Sequence, residues 1–181
     1  YGAISAHGGA NSGNGGFAEV SGKELLDFKG KVDLGSLYGT GGILLLDPLN
    51  ITISTGANAN TAGFTPPVDQ TEAFGDDLGL VSNFDVTPLT GSFFGVGAGT
   101  TIELQATNDI TVVDAFDIAT STGAANVSLV LRANNDIFVN APVTVSGTGT
   151  LTLSANDDAS GGGNVTIGAA ITTNGGTFTS S

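Results

Sequence analysis

The side chains able to do chemistry are few and widely separated in this chain. His7 is the single histidine among 181 residues, so any imidazole base or ligand must be that one. No Gly-x-Ser-x-Gly turn accompanies it, and such a turn is what presents an exposed serine nucleophile in α/β-hydrolases. A Gly-rich surface turn is the expected setting for His7. Adjacent carboxylates occur at Asp76–Asp77 and at Asp157–Asp158. Paired acids can divide proton donation and nucleophilic attack in glycoside hydrolysis. Asp69, Asp76 and Asp77 also offer hard oxygen ligands of the kind Ca2+ takes. Neither an EF-hand loop nor a Gly-Gly-x-Gly-x-Asp repeat surrounds them, so a solvated acidic loop without a cofactor is expected, with those three as the ligands should Ca2+ bind. Cysteine is absent, which removes disulfides and thiolate metal centres.

Asparagine is the polar residue that recurs with a period. Counted from the first apolar residue of the preceding run, Asn134 and Asn156 stand five places on, and Asn108 and Asn135 six. Asparagines stacked at a turn can exchange amide hydrogen bonds between layers, so a structural role is expected for these four rather than ligand binding. Asn50, Asn126 and Asn164 begin Asn-x-Ser/Thr sequons and are candidates for glycosylation.

These residues need elements to position them, and the second half of the chain supplies a repeat. Ile102, Leu104 and Ala106 are echoed by Leu129, Leu131 and Ala133, and then by Leu151, Leu153 and Ala155, with a fourth copy beginning at Phe178. The steps between first residues are 27, 22 and 27. Shorter alternations follow each copy, at Ile110–Val112, Ile137–Val139, Val143–Val145 and Val165–Ile167. Alternation marks a strand with one buried face, and the intervening Gly, Asn, Asp and Ser suit sharp turns. Three short strands per 22 to 27 residues predict an all-β, right-handed parallel β-helix, each strand pairing with its equivalent one coil later. A β-sandwich is the alternative.

Composition bounds the rest. Lys and Arg total 4 against 17 Asp and Glu, a net charge of −13. So acidic a chain repels phosphate backbones and lacks the basic stripe that nucleic-acid binding needs. The longest apolar run, Ile43–Leu46, is far short of the roughly 20 residues of a spanning helix, so no membrane insertion is expected. The chain does not begin with Met and opens inside a Gly-rich pattern, so it reads as a segment of a longer protein. Residues 55–99 interrupt the repeat with Pro66, Pro67, Pro88 and five phenylalanines. Structureless stretches of that length are uncommon inside compact domains. The expectation is an irregular acidic, Phe-containing insertion within a single helical segment spanning 1–181, extruded at one corner, its Phe side chains packed on the outside of the coils.

Residues 13–54 carry a denser pattern. Gly15, Gly16, Glu19, Val20, Ser21, Gly22 and Lys23 are followed by Gly30, Val32 and Asp33. Then come Gly41, Gly42, Leu44, Leu45, Leu46, Asp47, Pro48, Ile51 and Ile53. This resembles the filamentous-haemagglutinin-like exoproteins of two-partner secretion systems, over under a quarter of the chain. The resemblance implies a β-helical shaft, export through an outer-membrane pore, and display at the surface of a Gram-negative-type cell or release from it.

The function expected from these readings is a structural or adhesive segment of a large secreted surface exoprotein. It would form a rigid rod or filament and touch a host cell, a neighbouring cell, or sister subunits stacked end to end. A polysaccharide-active enzyme is the competing class. Polygalacturonase-like enzymes place Gly-His-Gly and Arg-x-Lys after their aspartates, whereas His7 precedes both acid pairs and Arg132 has no neighbouring Lys. No residue is therefore assigned a catalytic role. A carbohydrate-binding module on the same scaffold would have to do without Trp and with Tyr1 and Tyr38 as its only tyrosines.

Overall fold

Alternation in the sequence becomes alternation in burial. The computed structural model describes residues 2–28, 30–55, 81–88 and 90–181. Within them the chain is a parallel β-helix of about six coils. The longest sheet takes one strand from each coil: β2 (Phe17–Ser21), β4 (Ile43–Asp47), β7 (Thr101–Ala106), β10 (Ser128–Ala133), β13 (Leu151–Ser154) and β16 (Phe178–Ser180), all parallel and adjacent in that order. A second face holds β6 (Ser82–Asp85), β5 (Ile51–Ser54), β8 (Ile110–Val112), β11 (Ile137–Val139) and β14 (Val165–Ile167). The third face holds β9 (Phe116–Asp117), β12 (Val143–Ser146) and β15 (Ile171–Asn174), while β1 (Ala3–Ser5) pairs with β3 (Lys31–Asp33).

The register is the one the repeat predicts. Ile102 aligns with Leu129, Leu129 with Leu151, and Leu151 with Phe178. The strands stay in register across both step lengths: one 27-residue coil takes up its extra residues between Phe116 and Leu129, around a short helix, and the other in the turn between Ser154 and Val165. Inward side chains stack in columns: Leu104, Leu131 and Leu153 on the first face, and Ile53, Val112 and Val139 on the second, each no more than 1% exposed. Burying each such side chain contributes roughly 1.5–3 kcal/mol, which is how repetition stabilises a chain that has no disulfides.

The stretch expected to be extruded behaves differently from 81 onward. Residues 56–80 lie outside the described residues. Beyond them, β6 pairs in parallel with β5, on the flank opposite β8, although it follows β5 in sequence. It therefore sits one level back along the helix, above Glu24–Phe28, which forms no strand. The Leu26 N–H donates to Ser82 Oγ at 2.8 Å and joins the two segments. Phe84, Val86, Phe93 and Val96 are at most 1% exposed, and the rings of Phe84 and Phe93 lie 5.7 Å apart. These side chains are core, not external packing, because the interior removes more of their apolar surface from water. The irregular boundary expected at 99 thus gives way to a strand and a packed return. Asp114 Oδ2 accepts from both the N–H and hydroxyl of Thr55, just past the end of β5.

Two further local features shape the coils. A short helix, α1 (Ile118–Thr122), replaces strand on the third face; Asp117 caps its first turn and Gly123, at φ 68°, ends it. Paired glycines mark the corner before the first face. A Cβ on Gly15 would lie 1.9 Å from the Leu34 carbonyl oxygen, and one on Gly42 would lie 2.0 Å from the Gly16 oxygen. The coils touch through backbone at this corner, so any side chain would push them apart.

Candidate functional site

The polar residues gather chiefly at the turn between the first and second faces. Each second-face strand apart from β6 is preceded by Asn or Asp: Asn50, Asp109, Asp136 and Asn164. Asn50 Oδ1 accepts from Asn108 Nδ2 at 2.9 Å and from the Asp109 N–H at 3.3 Å. Asp109 Oδ1 accepts from Asn135 Nδ2 at 2.7 Å and from the Asp136 N–H at 3.0 Å. Asp136 Oδ1 then accepts from the Asn164 N–H at 2.8 Å. The result is a continuous column of Asn and Asp running through four coils. Its carboxylates are occupied by donors of the coil on one side and amides of their own turn, as when Asn108 Nδ2 also reaches Asp109 Oδ2.

The four asparagines singled out by the repeat are distributed unequally in this turn. Asn108 and Asn135 supply the bridging amides, and the Asn135 N–H donates to the Asn108 carbonyl. Asn134 contributes its backbone N–H to Ala106. Asn156 occupies a positive φ of 54° and closes a local turn by accepting from the Gly161 N–H. The acceptors Asp109 and Asp136 were missed. Their signal was legible: Asn50-Ile-Thr-Ile, Asp109-Ile-Thr-Val, Asp136-Ile-Phe-Val and Asn164-Val-Thr-Ile are one motif read four times. Two of the three sequons, at Asn50 and Asn164, are copies of that motif with Thr at its outward position. The third, Asn126, is exposed at φ 58° and accepts from the Thr148 N–H of the next coil.

A second polar cluster crosses the outer side of the first face. Arg132 Nε donates to Glu103 at 2.6 Å and Nη1 to Asp157 at 3.0 Å, so one guanidinium clasps three consecutive coils. Burial pulls the Arg132 pKa down, but the bonds to Glu103 and Asp157 outweigh it and hold the group above its ordinary value. Asp157 also accepts from Ser154 Oγ. Its neighbour Asp158 accepts from the hydroxyl and N–H of Ser160, which hold its carboxyl below the usual range. A general acid at neutral pH needs the opposite shift.

His7, Asp33 and Ser36 line one shallow cleft of about 380 Å3 with Gly35, Leu37 and Gly97. These residue types could form a hydrolytic triad, but their bonds are local. His7 Nδ1 lies 2.8 Å from the Gly8 carbonyl, and Asp33 accepts from the Gly35 N–H. The Ser36 hydroxyl donates to the Gly13 carbonyl, where no base can take its proton, and accepts from the Gly39 N–H. Asp69, Asp76 and Asp77 lie outside the described residues. Among the described residues, no group of three or more His, Cys, Asp or Glu is placed to hold a metal ion. No helix there is long and apolar enough to cross a membrane. No protein-family model, curated protein or solved structure matches the chain.

Proposed function

We propose that this chain is a structural and adhesive rod segment of a large surface exoprotein of the filamentous-haemagglutinin-like kind, exported by two-partner secretion and displayed outside a Gram-negative-type cell. The observation that carries the reading is the way polar side chains are used. The Asn/Asp column and the Arg132 clasp direct their hydrogen bonds along the helix axis, between coils. Such groups stiffen a shaft and leave little free chemistry. The motif of residues 13–54 supports the same reading, since its glycines are the corner at which coils touch. The rod presents exposed turns as its contact surface, Leu37 and Tyr38 at 83% and 69% exposure among them, toward a host or neighbouring cell.

The test is retention of beads coated with the chain on host and bacterial cells, alongside release of reducing sugar from a panel of polysaccharides. Retention that falls when Leu37 and Tyr38 are both changed to Asp, with no sugar released, is the expected result. Sugar release that disappears in the Asp157→Asn, Asp158→Asn double variant would replace this reading with the enzymatic one.

A further inference from the structure

The first two coils pair directly on two faces but are held apart on the second face by β6. There β2 lies against β4, and β1 against β3, with nothing between them. At the corner after β4 the two coils still touch, the Leu49 N–H donating to the Glu24 carbonyl at 3.3 Å. Beyond that corner β6 stands between residues 26–28 of the first coil and β5 of the second, and among the described residues it pairs in the sheet with β5 alone. Residues 26–28 nevertheless have the marks of the strand that belongs beside β5. Leu26 and Phe28 are buried and Asp27 between them is exposed, the same alternation that β5 and β8 show in their inward and outward residues. In later coils the first inward residue of each second-face strand donates its N–H to the column residue of the next coil: Ile51 to Asp109, Ile110 to Asp136, Ile137 to Asn164. Asn50 is the column residue that Leu26 would reach. Its carbonyl is taken by the Ser82 N–H at 3.0 Å, and the Leu26 N–H is met by the Ser82 hydroxyl instead. Ser82 is thus interposed in a bond that the repeat assigns to Leu26. The strand it belongs to fits a core position poorly. Ser82 and Asn83 are 0% and 7% exposed, and burying polar side chains costs free energy that apolar ones do not. Phe84, fully buried and 5.7 Å from the Phe93 ring, holds β6 in.

We infer that β6 is an exchangeable strand: when it leaves, residues 26–28 take its place against β5, and Phe84 passes from the core to the surface. Setting Leu26 opposite Ile51 and Phe28 opposite Ile53 keeps both side chains inward and places Asp27 outside, beside Thr52. It also removes the extra layer, about 4.8 Å thick, that separates the two coils on one face only. Two packings of one sequence that lie close in free energy form a switch. This one conceals an apolar contact group until the strand is exchanged. It rests on the coil fold and is independent of the adhesive reading.

Disulfide trapping in the full chain tests it, since the chain has no cysteine of its own. Thr52 pairs with Asn83 in the sheet, and partners on adjacent strands lie about 4.8 Å apart, within disulfide range. With β6 in place, Asp27 and Thr52 stand two strand spacings apart, about 9.6 Å, which no disulfide spans. Under mild oxidation at low protein concentration, Thr52→Cys with Asn83→Cys should link at once. Thr52→Cys with Asp27→Cys should link more slowly but to completion. Ser82→Pro removes the N–H donated to Asn50 and should speed that second link at least about tenfold. Asp27→Cys with Thr111→Cys, one coil further on, should stay unlinked, which excludes linking through global unfolding. In the unsubstituted chain, the amide hydrogens of β6 should exchange at least about tenfold faster than those of β8. No link between positions 27 and 52, an equal link between 27 and 111, no acceleration by Ser82→Pro, or equal exchange in β6 and β8 would each overturn the inference.

Discussion

Asp109 sits where three coils meet in hydrogen bonds, and the column it belongs to explains why Asn and Asp recur at one place in each repeat. Removing its carboxylate leaves the Asn135 amide and the Asp136 N–H without their acceptor. Asp109→Ala should therefore lower stability by about 1–3 kcal/mol in urea denaturation, while Asp109→Asn, which keeps an acceptor oxygen, should cost less. Equal losses for the two variants would show that the column is not what holds the turn. Asp47 offers a test of opposite sign. Burial, and then the nearby Glu19, push its carboxyl above the ordinary aspartate value, so the folded chain binds this proton more tightly than the unfolded one. The stability linked to that proton is present below the unfolded value and is lost as pH rises through the folded one. Asp47→Asn should thus raise the melting temperature at pH 7, with the gain vanishing below about pH 4. At this scale the sequence showed the asparagines but not their partners. Aspartate is also an ordinary surface and turn residue; the recurring Asn/Asp-apolar-x-apolar motif marks out Asp109 and Asp136, but only the inter-coil register shows which donors they take.

At the scale of elements, the strands from Thr101 onward were legible because each alternation of Ile, Val and Leu is set against turn residues and repeated in register. Strand β6 was not. Ser82 and Asn83 give it no apolar alternation, and its strand conformation comes from pairing with β5, a contact made 31 residues away in sequence. The phenylalanines around it looked like an external patch because nothing local reveals which side of a strand faces inward. Phe84→Ala should cost about 3–5 kcal/mol, as for an aromatic side chain removed from a core. A loss near zero in chemical denaturation would return that segment to the outside of the coils. The corner glycines make a second prediction. Gly42→Ala forces a methyl group into the backbone of the adjoining coil, so it should destabilise the fold by more than the roughly 1 kcal/mol that separates Gly from Ala in regular structure. Gly161→Ala, where a Cβ meets nothing within 4 Å, should be neutral within about 0.5 kcal/mol. The short helix α1 was hidden for a related reason. Its caps, Asp117 and Gly123, are residues that turns use as well.

For the whole molecule, successive coils stack by parallel pairing along a single axis, and the polar side chains tie those coils together. An all-parallel coil places equivalent strands about 4.8 Å apart, a spacing a β-sandwich would not repeat along one axis. The Arg132 clasp adds little to this by itself, at most about 1 kcal/mol for a guanidinium side chain that is 38% exposed; the stacked aliphatic columns carry the rod. The most direct measurement is electron cryomicroscopy of the native material carrying this chain, with the power spectrum taken along the long axis of the particles. Thin rods with a layer spacing near 4.8 Å are the predicted result. Compact particles with no such spacing would contradict the coil, and with it the rod and the column.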